Sequence, residues 1–290
     1  MLKAKRKKHI QFLFQLTALI LIAVILVGCG SNTPANEDTP SGGGKVEETP
    51  QQKDESEGKT EDTAPQSDSG SSSPGSPATA AESYTAYTEA KGELISRLSD
   101  ALSSNPDTGL ASMSLLGIAL ADLALLPASS FGLGESSVNM ALGFVGAKDI
   151  EYSESGNQYS VKYRSEDGKN YELKGEYDKA ADALKCISFT DGKETIISEH
   201  RKTSFGYVSQ TYIINDDGSA YVYQLAVSGL NGAIGIFEAS QVPPGLTGSE
   251  TIDFPKQCKE WYAIDGNKVT GVDSDGQEIS FEYTPSDEGE

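Results

Sequence analysis

Few residues in this chain have the types and spacing that chemistry needs. His200, in "TIISEHRK", is the one histidine beyond residue 9, so any Ser-His-Asp or Cys-His mechanism has to use it. It sits in an alternating run beside Arg201 and Lys202, and it reads as a solvated strand histidine rather than a base. Cys186 lies in "ALKCISF" and Cys258 just before "EWYAID"; neither has a second Cys or a His at metal-ligand spacing. The acidic clusters "NDDGS" and "DSDGQE" lack the EF-hand order of ligands, glycine and distant glutamate, and turn chemistry explains them. Walker A, G-x-S-x-G and H-E-x-x-H patterns are absent. Paired carboxylates for glycoside hydrolysis need no local motif, so the 43 acidic residues leave that chemistry open without pointing to it. Eleven of the 13 tyrosines fall between residues 148 and 290, together with Trp261. They suit a sugar or peptide platform, but tyrosine is also a good strand residue, and that reading is preferred. No catalytic set, metal site or cofactor is expected.

Cys29 is different, because its neighbourhood is specific. Lys3, Lys5, Arg6, Lys7 and Lys8 precede an apolar run, "FLFQLTALILIAVILVG", which ends in "LVGC". Basic, then apolar, then small residues is the layout of an export signal. "LVGC", Leu26 to Cys29, resembles the lipobox of bacterial membrane lipoproteins. That resemblance implies a diacylglycerol thioether on Cys29, cleavage before it, and anchoring of an extracytoplasmic protein to the bacterial cell membrane. The competing reading is an uncleaved anchor, for which a run of about 17 residues is short. In such a compartment Cys186 and Cys258 have two readings. One is a disulfide closing a long loop, worth ~4 kcal/mol; the other is two unrelated free thiols.

Removing residues 1–28 takes away five basic residues and no acidic one, moving the formal net charge from -20 to -25. Such a chain does not favour nucleic acid by electrostatics. Residues 31–80 are Ser, Thr, Pro, Gly and acid, with almost no large apolar side chain. They cannot bury enough surface to offset the entropy of ordering, so 29–80 is expected to be a disordered tether.

The elements begin near Ala81. Tyr84, Tyr87, Lys91, Leu94, Leu98 and Leu102 follow three- and four-residue steps, which predicts a helix ending at Ser103–Pro106. A second helix is predicted from about Thr108 to Leu126, stopped by Pro127. Within it, "LLGIALADLALLP" is apolar on nearly every face, which predicts burial on most sides. Leu120 and Leu123 are expected to pack on a sheet, with Asp122 in a solvent slot at its edge. From about Lys148 the period changes to 2, as in "NQYSVKYR", "AYVYQLAV" and "EISFEY". Asp-Gly at 167–168, 191–192, 217–218, 265–266 and 275–276, with Ser155-Gly156, predicts type I′ hairpin turns. About eight strands are expected over 148–239 and three over 260–284. The periodicities assign no element between 127 and 147.

The expected fold is therefore α+β: a single domain over 81–290, with helices within 81–126 and a large curved antiparallel meander over about 148–284. This element order is similar to the half-barrel of lipoprotein carriers, where a curved sheet wraps helices. The similarity implies a non-catalytic binding or carrier module for an apolar or amphipathic ligand. The alternative is an interaction or structural component of the cell envelope with a solid core. An envelope-glycan enzyme is a third reading.

Overall fold

A computed structural model describes residue 77 and residues 79–108, 111–215 and 217–285. The leader, Cys29 and nearly all of the expected tether lie outside the described residues.

Helix α1 spans Ala80–Ser104. A capping box starts it: Thr79 Oγ1 accepts from the Glu82 N–H at 3.1 Å, and the Thr79 N–H donates to Glu82 Oε2 at 3.1 Å. Its expected stripe is buried, with Leu94, Leu98 and Leu102 fully inaccessible.

The predicted second helix is divided. Helix α2 covers Ala111–Ser114, α3 Leu116–Leu125, and a 3-10 turn Leu126–Ser130. At the break, Leu115 N–H donates to Ser112 O and Ile118 N–H to Leu115 O, both three-residue steps that tighten the turn and swing Leu115 into the core. Leu115, Ile118, Ala121 and Leu125 are buried, while Met113, Leu123 and Leu126 are exposed and Leu120 is half-buried. Burial on most sides is thus corrected. The sheet offers α3 one face to pack on, and its other face points away. A further helix, α4, spans Glu135–Phe144 and buries Val138 and Leu142 against the 3-10 turn and the first strand. With only two inward side chains in ten residues, it is too short to register in the periodicity.

The strands follow as expected. β1 to β8 are Lys148–Ser155, Gln158–Arg164, Asn170–Asp178, Ala183–Thr190, Lys193–Lys202, Tyr207–Ile214, Ala220–Ser228 and Asn231–Ala239. β9 to β11 are Glu260–Asp265, Lys268–Val272 and Glu278–Glu282. They form one open eleven-stranded sheet in sequence order, every neighbour antiparallel, with β1 and β11 as edges. The sheet curves round α1, which touches β4, β7 and β9.

The turn chemistry is more varied than type I′ throughout. Asp191-Gly192 has both residues at positive φ, as that type requires. At 167–168, 217–218 and 275–276 the glycine alone is left-handed. There the flanking backbone bonds, such as Gly168 N–H to Ser165 O, make longer loops closed by a glycine bulge.

On the inner face, α3, α4 and the 3-10 turn pack over β2–β5, through Leu125, Phe131, Val138 and Leu142 against Val161, Leu173, Leu184 and Cys186. Helix α1 and the start of α3 pack over β7–β10, through Leu94, Leu98, Leu115 and Ile118 against Leu225, Ile234, Tyr262 and Ile264. Close approach needs missing side chains. A Cβ on Gly175 would lie 2.3 Å from the Phe131 ring, and one on Gly117 would lie 1.9 Å from the Tyr223 hydroxyl. The outer face is partly covered as well: a 3-10 turn at Phe254–Gln257 lies against β7, β8 and β9.

Candidate functional site

The polar residues of the core converge on one face of α1. Ser83, Tyr87 and Lys91 recur at four-residue steps, so they project together toward the sheet. Strand alternation brings His200 of β5 and Ser209 of β6 to meet them, and Asp182 enters from the β3–β4 turn. Ser83 Oγ donates to Asp182 Oδ1 at 2.6 Å and lies 3.0 Å from His200 Nε2. Tyr87 stacks on the His200 ring at 4.3 Å between centroids and donates its hydroxyl to Ser209 Oγ at 2.6 Å. The Lys91 ammonium lies 5.0 Å from the centroid of the same Tyr87 ring and is ion-paired to Asp122 of α3.

His200 is therefore not the solvated strand histidine that the alternation suggests. It is buried, because its strand runs under α1 instead of along an exposed margin. Burial, with the Lys91 charge nearby, pushes its pKa down to about 3, so the ring is neutral. The grouping contains a serine, a histidine and an aspartate, but in the wrong order for nucleophilic catalysis. A carboxylate is acceptor-only, so the Ser83 proton is committed to Asp182. His200 Nε2 must then carry its proton and donate it to Ser83 Oγ. A general base needs a bare nitrogen facing the hydroxyl, with the carboxylate behind the ring. Here the serine stands between the two. The three are also 0%, 3% and 6% exposed for Ser83, His200 and Asp182, which leaves no room for a substrate. The network fastens α1 to β4 and β5.

The Lys91–Asp122 pair also departs from expectation. Lys91 is 4% exposed at its side chain and Asp122 33%. Asp122 does reach solvent, but its partner is a buried cation. Burial alone would lower the Lys91 pKa; Tyr87 and the Asp122 carboxylate outweigh it and hold the ammonium above its ordinary value. Arg97, one turn and a half further along α1, ties two hairpins together. It donates to Leu230 O at 2.8 Å in the β7–β8 turn and to Gly266 O at 2.6 Å in the β9–β10 turn.

For Cys186 and Cys258 the structure holds the free-thiol reading. Cys186 faces inward in the core of β2–β5. Cys258 follows the second 3-10 turn on the outer face, where its thiol donates to Gln224 Oε1 at 3.2 Å. The sheet stands between them, and burial pushes both thiols up to about 12. Among the described residues no group of three or more His, Cys, Asp or Glu is placed to hold a metal ion.

The surface has two contrasting regions. Outside β1–β4 runs a charged ladder in which Lys174 and Lys162 flank Glu172 at 3.5 and 3.9 Å, and Lys174 lies over the Phe189 ring. Grooves of about 420 and 320 Å³ open there, the first lined by Ser153, Gln158, Lys174 and Lys185. A third of about 240 Å³ lies beside Glu199 and Leu246, and a fourth of about 540 Å³ beside Tyr221, Ile236 and Glu260. All four are open to solvent. On the helical side α3 and α4 are sparsely charged and apolar, with Met140 75% and Phe144 76% exposed, whereas α1 exposes Glu82, Glu89, Glu93 and Asp100. The tyrosines divide between these settings. Tyr159 stacks on Phe131 and Tyr163 on Tyr171, while Tyr84, Tyr87, Tyr177 and Tyr262 are core residues; they form no single platform.

No family model matches the chain, no curated protein matches it, and no solved structure matches its fold.

Proposed function

We propose that this chain is a bacterial lipoprotein, anchored outside the cytoplasm through acylated Cys29, whose folded domain works as a non-catalytic interaction module of the envelope. The observation that carries the second half of this reading is the filling of the sheet's inner face. A carrier needs an enclosed apolar space of several hundred Å³. Leu94, Leu98, Leu102, Leu115 and Ile118 occupy the hollow over β7–β10, where such a ligand would sit. Three of the four grooves described above lie on or beside the outer face. The fourth, at the margin of the inner face beside Ser114, Tyr223 and Ile236, is open to solvent and does not enclose a ligand. The "LVGC" motif carries the first half.

The two halves have separate tests. Cys29→Ala is expected to abolish incorporation of labelled fatty acid and leave unprocessed precursor; label entering that variant contradicts the anchor. Thermal melts of the full chain before and after solvent extraction are expected to coincide. A lower midpoint after extraction would return the domain to the carrier reading.

A further inference from the structure

The helical side has a composition unlike the rest of the molecule. Residues 111–147 carry two charged side chains, Asp122 and Glu135, in a chain of formal net charge -20. Asp122 is neutralised by the buried Lys91. Met113, Leu123, Leu133, Met140, Phe144 and Val145 stand exposed on this side, between 48% and 76%. The stretch Ala111–Ser130 is long and apolar enough to cross a membrane by length and composition, yet a minority of its most apolar window is buried. Its inner stripe is explained by the core. Among the described residues the outer stripe packs on nothing, and apolar patches of this kind mark interaction surfaces.

The path of the chain says what covers it. The segment leading back to Cys29 enters the fold at the root of this patch: Ala81 N–H donates to Phe131 O at 3.0 Å, and Thr79 lies against Gly132, next to exposed Leu133. An anchored chain holds its patch within reach of the bilayer at all times. That makes docking effectively intramolecular, so a modest apolar face suffices. Residues 111–147 carry only Asp122 and Glu135, and Asp122 is paired to Lys91, so the α3–α4 face is repelled by anionic headgroups less than the rest of the acidic surface, which includes the exposed Glu82, Glu89, Glu93 and Asp100 of α1.

We infer that the α3–α4 side docks on the lipid bilayer, with Phe144, Met140 and Leu123 entering its interfacial region. The inference rests on the anchor reading above. Docking of this kind lacks the basic residues usual in interfacial helices, so it is driven by apolar burial and is insensitive to salt.

The test uses the full chain, purified from bacterial membranes and reconstituted in phosphatidylcholine vesicles with brominated acyl chains. In a Trp261→Phe background, Phe144→Trp reports the helical side and Lys185→Trp the outer sheet face, since Lys185 alternates with the inward Leu184 and Cys186 of β4. Both parent side chains are solvent-exposed, so the fold tolerates the change. Expected is a blue shift and loss of emission for Phe144→Trp, unchanged in high salt, with no loss for Lys185→Trp. Equal emission of both reporters with and without bromine overturns the inference. So does a dimer broken by Phe144→Asp in the absence of quenching, which would give the face to a second copy. The mass of the same sample reads acylation of Cys29 separately. Acylation without quenching refutes docking alone. Quenching without acylation refutes the anchor alone, since the apolar leader then holds the chain to the vesicle.

Discussion

Lys91 is a charged residue buried in the interior. Its ammonium lies under α1, over the Tyr87 ring, with Asp122 as the counter-charge. Removing one partner of such a pair leaves an uncompensated buried charge, which typically costs ~3–5 kcal/mol. Asp122→Asn is therefore expected to lower stability by about that amount in chemical denaturation. Lys91→Met combined with Asp122→Asn is expected to recover much of the loss. An Asp122→Asn variant within about 0.5 kcal/mol of the parent, the range of an ordinary surface change, would show that the pair does not form.

His200 makes a second prediction at this scale. It is faced by Ser83, Tyr84 and Tyr87 of α1, by Asp182, by Tyr207 of β6 and, at longer range, by Lys91. Its pKa falls from 6.5 to about 3 on folding. Between those values the unfolded chain binds a proton that the folded chain refuses, so stability rises with pH across the window. The contribution is fully present above pH 6.5 and is lost as pH falls toward 3. At most it is on the order of 5 kcal/mol. His200→Gln is expected to flatten the stability curve between those limits relative to the parent, in denaturation series at stepped pH. Parallel curves would mean that His200 is accessible to protons in the folded state.

At the scale of elements, α3 is a helix with two apolar faces and one partner. Ile118→Ala removes a side chain that is 3% exposed and is expected to cost ~2–4 kcal/mol. Leu123→Ala, at 48% exposure, is expected to stay within about 0.5 kcal/mol. Equal losses in urea denaturation would contradict the orientation of the helix. This is also where reading from sequence stops. The alternation in "AYVYQLAV" assigns Tyr221, Tyr223, Leu225 and Val227 to one face; the last three line the same core, and Tyr221 stands at its exposed margin. Eight strands and then three were legible because a half-buried strand states its own period. A helix apolar all round does not say which side is inward, since both faces have the same composition. Helix α4 was illegible for the opposite reason, because Val138 and Leu142 are too few to set a period. The interior network was illegible too. Ser83 is brought to Asp182 and His200 by the packing of α1 on the sheet, across separations of 99 and 117 residues.

For the whole molecule, the layers assign different work to different sides. The charged outer face of β1–β4 keeps open grooves, the inner face is packed by the chain's own helices, and the α3–α4 part of the helical side is apolar and sparsely charged. Arg97 closes the arrangement by joining two hairpins to α1. Arg97→Ala is expected to raise amide exchange in the β7–β8 and β9–β10 turns while leaving β2–β4 unchanged; uniform exchange across the sheet would contradict that role. The central claim is that this domain acts through its surfaces, with no ligand held inside the sheet. Native mass spectrometry of the full chain, released from membranes in mild detergent, tests it most directly. The expected spectrum shows the polypeptide with covalent acylation at Cys29 and no further adduct. A stoichiometric apolar molecule that stays bound to the folded chain and is shed on unfolding would contradict it.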